Sequence, residues 1–298
     1  MSHTTRFITL GTAGGPVPKL HRAQPSHAIT RGDRVILIDC GEGAMQQLMR
    51  VGIDFRRIDK VILSHHHFDH IGSLFTCLGI NMMLQRKQPI TIYGPPGTRQ
   101  IVEGLAMACD VPQAIGFGVV GQSLPHPRNF VQVEEIAPGD TFEIDNIRVS
   151  CCENTHYRAE TELGTKGPIS LSLRFDAPDR SIVYTGDTGP CRMVENLAKG
   201  AQLLVGEMML AEQIIAQLQK KNPHMTSERI AMMGQHLHSH HLSPEQLGDL
   251  AARAGVAHVV AVHIPLDSIT PETAPDFTAR ISQVFSGQVS IANDLDQF

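Results

Sequence analysis

Four side chains able to hold a metal ion, His65, His67, Asp69 and His70, lie within six residues of the run Leu63-Ser-His-His-His-Phe-Asp-His-Ile-Gly72. The run directly follows the apolar segment Lys60-Val-Ile-Leu63. Side chains two apart in extended backbone point the same way, so His65 and His67 can grip one ion as a strand ends. Asp69 and His70 then turn toward a second ion as the chain enters a helix. The same alternation points His66 away from its neighbours. Two ions with an open coordination position make a nucleophile of water at neutral pH. The run therefore asks for a fold in which a strand stops where a helix starts, and it points to a hydrolase.

The rest of the composition is compatible with that. A chain of 298 residues, 42% hydrophobic and 18% charged, can bury a large core. A net charge of −5 shows no basic footprint for a nucleic-acid partner. The start Met1-Ser-His-Thr-Thr-Arg6 has no apolar core of an export signal, and the uncharged stretch Ile71 to Gln85 is too short to span a bilayer. The six cysteines, Cys40, Cys77, Cys109, Cys151, Cys152 and Cys191, form no C-x-x-C pair. Free thiols in a reducing cytoplasm are the expectation, with no membrane partner.

Apolar segments ending at polar turns predict strands at Arg6–Leu10, His27–Arg31, Arg34–Ile38, Lys60–Ser64, Ile90–Tyr93, Phe130–Glu134, Thr141–Ile144, Ile147–Cys152, Ile169–Phe175, Ser181–Tyr184, Leu203–Val205 and Ala257–Val262. Helices are predicted at Gly43–Arg50, His70–Gln85 and Thr98–Ala108, with another opened by the capping box Ser243-Pro-Glu-Gln246 and closed by Gly255. No linker or repeat interrupts them. A single α/β domain over residues 1–298, with helices outside two β-sheets, fits best.

Two ions need more donors than the first cluster supplies. His156, Asp187 and His263 each stand just past the C-terminal end of a predicted strand, where loops can converge on one cleft. The assignment that follows places His65, His67 and His156 on one ion, Asp69, His70 and His263 on the other, and Asp187 between them, because a carboxylate can hold an ion with each oxygen. Imidazole and carboxylate without thiolate suit two Zn2+, with Mn2+ or Fe2+ as competitors. A further histidine group, His236, His238, His240 and His241, has no interleaved carboxylate.

With these residues in hand, the chain resembles the metallo-β-lactamase superfamily, and within it the ribonuclease Z branch. His65-x-His67-x-Asp69-His70 carries the resemblance. Leu10-Gly-Thr12, Asp39-Cys-Gly-Glu-Gly43, Gln46-Gln47, Ile92-Tyr-Gly-Pro95 and Tyr184-Thr-Gly-Asp-Thr188 extend it from about Phe7 to His263. It implies a four-layer αβ/βα sandwich of two mixed β-sheets flanked by helices, and it supports the same ligand set. It also implies catalytic roles for Asp69, His241 and Glu207. His241, 22 residues before His263, would protonate the leaving oxygen, and Glu207 would hold it, with His240 as the fallback.

Two departures bear on the substrate. Gly206 stands where that branch has a histidine before its glutamate. The long arm with which ribonuclease Z clamps transfer RNA would lie between His156 and Asp187, and only residues 157–186 separate them here, with Arg158, Lys166 and Arg174 as sparse cations. The expected substrate is a phosphodiester of small or medium size, such as a short oligomer, with carboxylic ester, lactone or aryl sulfate as alternatives. Transfer RNA cleavage is disfavoured, a non-catalytic metal-binding protein is the alternative from another class, and a homodimer is in keeping with relatives of this kind. Arg22 reads either as a partner for a phosphate oxygen or as a solvated charge.

Overall fold

A computed structural model describes residues 4–118, 123–267, 269–270 and 272–298. The chain forms two compact units. Met1–Gly11, Ala23–Ala137 and Asp294–Phe298 make the first, and Thr12–Arg22 and Pro138–Asn293 make the second.

The first unit is built on a six-stranded sheet in the order β1 (Thr5–Gly11), β2 (Ser26–Arg31), β3 (Arg34–Ile38), β4 (Lys60–Ile62), β5 (Ile90–Gly94) and β6 (Val131–Glu135). The first two neighbour pairs are antiparallel and the remaining three parallel. Parallel strands covered on both faces read as continuous apolar runs, and Val35 to Ile38 are buried throughout. Helices α1 (Ala44–Arg50), α2 (Phe68–Ile71), α3 (Leu74–Met83), α4 (Thr98–Ala108) and α5 (Asp110–Ile115) complete the unit. Leu48, Leu74, Leu78 and Val102 from these helices join Leu10, Leu37, Val61, Leu63 and Ile92 from the sheet in one core.

The single helix expected over His70–Gln85 is two helices, and the cause is local. Cys40 takes the backbone groups that would continue the ladder: its N–H donates to the His70 carbonyl at 2.7 Å, and its own carbonyl accepts from Ser73 N–H at 2.8 Å. The helix stops after one turn, and α3 begins again behind Ser73.

The second unit carries a seven-stranded sheet. Its strands are β7 (Thr141–Ile144), β8 (Ile147–Glu153), β9 (Leu171–Asp176), β10 (Ser181–Tyr184), β11 (Leu203–Glu207), β12 (His258–Val262) and β13 (Gln288–Ile291), in the order β13-β12-β11-β10-β9-β8-β7. β7 to β10 pair antiparallel and β10 to β13 parallel. Helices α6 (Arg192–Ala198), α7 (Ala211–Lys221), α8 (Ser227–Ser239), α9 (Pro244–Ala254) and α10 (Ala274–Ser282) belong to it. Leu247, Leu250 and Ala251 of α9 pack with Leu204, Val259 and Ala261 of the sheet.

The cap read for α9 is present. Ser243 Oγ accepts from Gln246 N–H at 3.2 Å, Gln246 Oε1 accepts from Ser243 N–H at 2.8 Å, and Gly255 closes the helix at φ 65°. Both units are thus mixed sheets with helices, as expected. Among the described residues no helix is long and apolar enough to cross a membrane. All six cysteines are buried and free.

Candidate functional site

In the first unit, β4 ends at Ile62 and α2 starts at Phe68, with His67 in extended conformation as its N-cap. This short passage gathers the four expected side chains. The rings of His65 and His70 lie 4.0 Å apart and those of His65 and His67 4.9 Å apart, between centroids. Asp69 Oδ2 stands 3.7 Å from His70 Nε2. His65, Asp69 and His70 are buried, whereas His67 is exposed. His66 turns elsewhere, its Nε2 lying 2.8 Å from Thr98 Oγ1.

One residue that spacing did not single out organises the cluster. Asp39, buried at the end of β3, accepts from His70 Nδ1 at 2.7 Å and from Ser64 Oγ at 2.8 Å, and its other oxygen accepts from Ser64 N–H at 2.7 Å. Ser64 Oγ in turn lies 3.0 Å from His65 Nδ1. With the Ser64 hydroxyl donating to Asp39, His65 donates its Nδ1–H to Ser64. Both histidines are thereby held as Nδ1–H tautomers with the Nε2 lone pair left for a ligand. Asp39 adopts φ 54°, a left-handed conformation that aspartate tolerates better than most residues.

Replacing Asp39 by asparagine sets an amide N–H2 against donors, whichever way the amide turns. Metal affinity is expected to fall by roughly 10–100-fold, read by competition with a chromophoric chelator. Unchanged affinity would remove Asp39 from this role.

In the second unit the loops behind three parallel or adjoining strands meet. Asn154, following β8, donates to Thr185 O at 3.1 Å and accepts from His156 N–H at 3.2 Å, which ties the His156 loop to the strand end carrying Asp187. Asp187 Oδ2 lies 3.1 Å from His263 Nε2 and 3.8 Å from His156 Nε2. One carboxylate oxygen is thus near two imidazoles. His263 sits at φ 56° just past β12, an uncommon conformation for a non-glycine residue of the kind that gathers at functional sites.

Glu207, the last residue of β11, is buried and bonds His241 Nδ1 with both oxygens, at 2.8 and 3.0 Å. It also accepts from Thr188 N–H in the Asp187 loop. The His241 ring stacks on that of His263 at 5.9 Å and stands edge-on to that of His156 at 4.9 Å. Burial raises the Glu207 carboxyl above its ordinary value. Burial also opposes charge on His241, but the charge and hydrogen bond of Glu207 prevail and hold that imidazole above its ordinary value.

Donor atoms of His156, Asp187 and His241 lie within 4.8 Å of one another, and so do those of Glu207, His241 and His263. No cysteine joins such a group among the described residues. Buried imidazole and carboxylate donors without thiolate form a set that suits a divalent metal ion.

The histidine group at 236–241 divides. His241 faces Glu207. His240 Nδ1 donates to Thr155 O at 2.6 Å, and His240 O accepts from His156 Nδ1 at 3.2 Å, so the end of α8 is clamped to the His156 loop. Gly189 permits this closeness, because a Cβ there would run into the Ser239 carbonyl. His238 stands near Glu212 on the exposed face, at 3.9 Å. Gly206 has a packing reason as well: a Cβ would come within 2.5 Å of Leu247 Cδ1. Arg22, half-buried, is engaged within its own unit. It donates to Thr12 Oγ1 at 2.6 Å, Ala292 O at 2.7 Å and Asn293 Oδ1 at 3.2 Å, pinning its own loop.

A family profile described as "Beta-lactamase superfamily domain" matches residues 34–264. The chain belongs to the metallo-β-lactamase superfamily. Within the superfamily it is ribonuclease Z-like. A protein named ribonuclease Z from Mycolicibacterium gilvum (strain PYR-GCK) is 29% identical over 294 residues, spanning 97% of this chain and 94% of that one. Two solved structures share the fold. The metallo-β-lactamase fold protein YhfI of Bacillus subtilis aligns with a TM-score of 0.71 at 17% identity, over 99% of this chain and 98% of that one. The short form of human tRNase Z aligns with a TM-score of 0.67 at 19% identity, over 98% of each chain. Membership of the superfamily, with a near full-length relative named ribonuclease Z, makes the protein a metal-dependent hydrolase of ester bonds.

Proposed function

We propose that the chain is a dinuclear phosphodiesterase in which residues 1–298 act as one domain. His65, His67 and His156 would hold one ion, Asp69, His70 and His263 the other, and Asp187 would be shared between them, with zinc as the resident metal. When bound, the ions supply Lewis acidity that activates water and stabilises charge on the phosphorus oxygens. The remaining work falls to side chains. Asp69 accepts a hydrogen bond from the attacking water and orients it. His241 has its Nδ1–H engaged by Glu207, so Nε2 is the atom that passes a proton to the leaving oxygen.

The buried Glu207–His241 pair, 2.8 Å apart, carries this reading. A proton donor placed beside ligand-type residues serves an alkoxide leaving group, such as a sugar hydroxyl, and adds little for a phenolate. The decisive panel is a bis-aryl phosphodiester, an aryl ester, a lactone, an aryl sulfate and a cyclic nucleotide, run with zinc or manganese beside elemental analysis. Phosphodiester turnover exceeding the others is expected. Turnover confined to the aryl ester, lactone or sulfate would refute the bond class, and two metals with no turnover at all would favour a binding protein.

A second reading is cleavage of precursor transfer RNA, favoured by the near full-length match to a protein named ribonuclease Z. The segment after His156 supports the smaller substrate. It holds one short 3-10 turn, Glu160–Glu162, and Arg158 there spends its guanidinium on Thr165 O and Oγ1, both at 2.7 Å. Cleavage of precursor transfer RNA at catalytic enzyme concentrations would decide for the second reading.

A further inference from the structure

α7 and α8 form a helical hairpin inserted between Glu207 and His241. They meet where Gly234 lies against Ile215, a Cβ on the glycine coming within 3.1 Å of Ile215 Cδ1. Most of both helices is exposed, so burial of a core does not account for the insertion. Its placement does point to a role. The end of α8 is fixed to the two loops that carry His156 and Asp187, by the His240 hydrogen bonds and by the approach of Ser239 to Gly189.

One turn before that anchor stands His236. Residues four apart share a helix face, and the rings of His236 and His240 lie 5.2 Å apart. The His236 ring is also 5.6 Å from that of His241, perpendicular to it, and 6.2 Å from that of His156. His156, Asp187, Glu207, His241 and His263 are all buried, whereas His236 is exposed. It is absent from every group of donors close enough to share an ion among the described residues. A solvent-facing imidazole thus overhangs the proton donor.

We propose that His236 is a substrate-binding residue that holds the leaving-group side of the scissile phosphodiester beside His241, and that the α7–α8 hairpin is the element that selects the leaving group. This rests on the phosphodiesterase reading. The hairpin adds Lys220 and Lys221 at its far end, both exposed, which suits a leaving group that carries further negative charge, such as a nucleotide.

The test uses the intact, metal-loaded protein with the 5′-phosphorylated dinucleotide pTpT, from which a nucleotide can leave, and with bis(p-nitrophenyl) phosphate, from which only nitrophenolate leaves. His236→Ala, His236→Gln and, on the opposite face, His238→Ala are compared with wild type for KM, kcat and metal per chain. His236→Ala is expected to raise KM for pTpT about tenfold, and that for bis(p-nitrophenyl) phosphate less, with metal content unchanged. His236→Gln, which keeps a donor, should recover part of the loss, and His238→Ala should match wild type. A KM for His236→Ala within twofold of wild type refutes the role, and so does loss of metal, which would make His236 a ligand. Absence of turnover in the wild type refutes the phosphodiesterase reading itself, so the two failures are distinct.

Discussion

Asp187→Ala is expected to lower metal content and turnover together, the rate by on the order of 10³-fold. The geometry of the second unit gives the reason. Asp187 Oδ2 lies 3.1 Å from His263 Nε2 and 3.8 Å from His156 Nε2, so its removal takes a negative charge from between two imidazoles. In the proposed centre that charge offsets part of the charge of both ions. Losing a metal's contribution to transition-state stabilisation costs several kcal/mol, and about 4 kcal/mol corresponds to the stated loss in rate.

Asp187→Asn refines the test. It keeps one oxygen and the shape but not the charge, so it should retain more metal than the alanine variant while remaining slow. Elemental analysis after dialysis against a weak chelator reads the metal, and initial rates on a bis-aryl phosphodiester read the turnover. Full metal occupancy in Asp187→Ala would exclude a bridging role.

The contrast between Asp187 and Asp39 shows which parts of such a centre are readable from a chain. His65, His67, Asp69 and His70 were legible because local rules place them: strand alternation directs the first two, and a strand ending at a helix turns the others. Asp187, His156 and His263 were legible as candidates because each follows a short apolar strand. Asp39 also follows a strand, but its function is to hold His70 and Ser64, 31 and 25 residues further on. A carboxylate that orients a ligand through a hydrogen bond leaves no spacing signature, so only its place in the run Asp39-Cys-Gly-Glu-Gly43 hinted at it.

The fold divides in the same way. Strands with continuous apolar runs were predicted to within two residues at nearly every end, since burial on both faces writes itself into composition. The α7–α8 hairpin was not anticipated, and it buries little: Ala211 and Gly234 are its buried residues. The break between α2 and α3 was missed for a different reason: it is imposed by Cys40, distant in the chain, rather than by any residue at the break itself. Local propensity yields here to a long-range backbone hydrogen bond.

His241→Ala separates acid catalysis from metal binding, and the separation depends on the leaving group. The variant is expected to keep its metal, since His241 is held by Glu207 and lies outside the proposed ligand set. For an alkyl phosphodiester the rate should fall by roughly 10²–10⁴-fold, the usual contribution of a positioned proton donor. For a p-nitrophenyl ester, whose phenolate departs without a proton, the loss should be far smaller. Glu207→Gln should give the same pattern in weaker form: the amide can still accept from the His241 Nδ1–H but no longer stabilises its charge. It must also keep accepting from Thr188 N–H, so a thermal melt is measured alongside to separate a loosened Asp187 loop from a weakened acid. Equal losses on the alkyl and nitrophenyl substrates would contradict the proton-donor role and leave His241 as a residue that merely shapes the cleft.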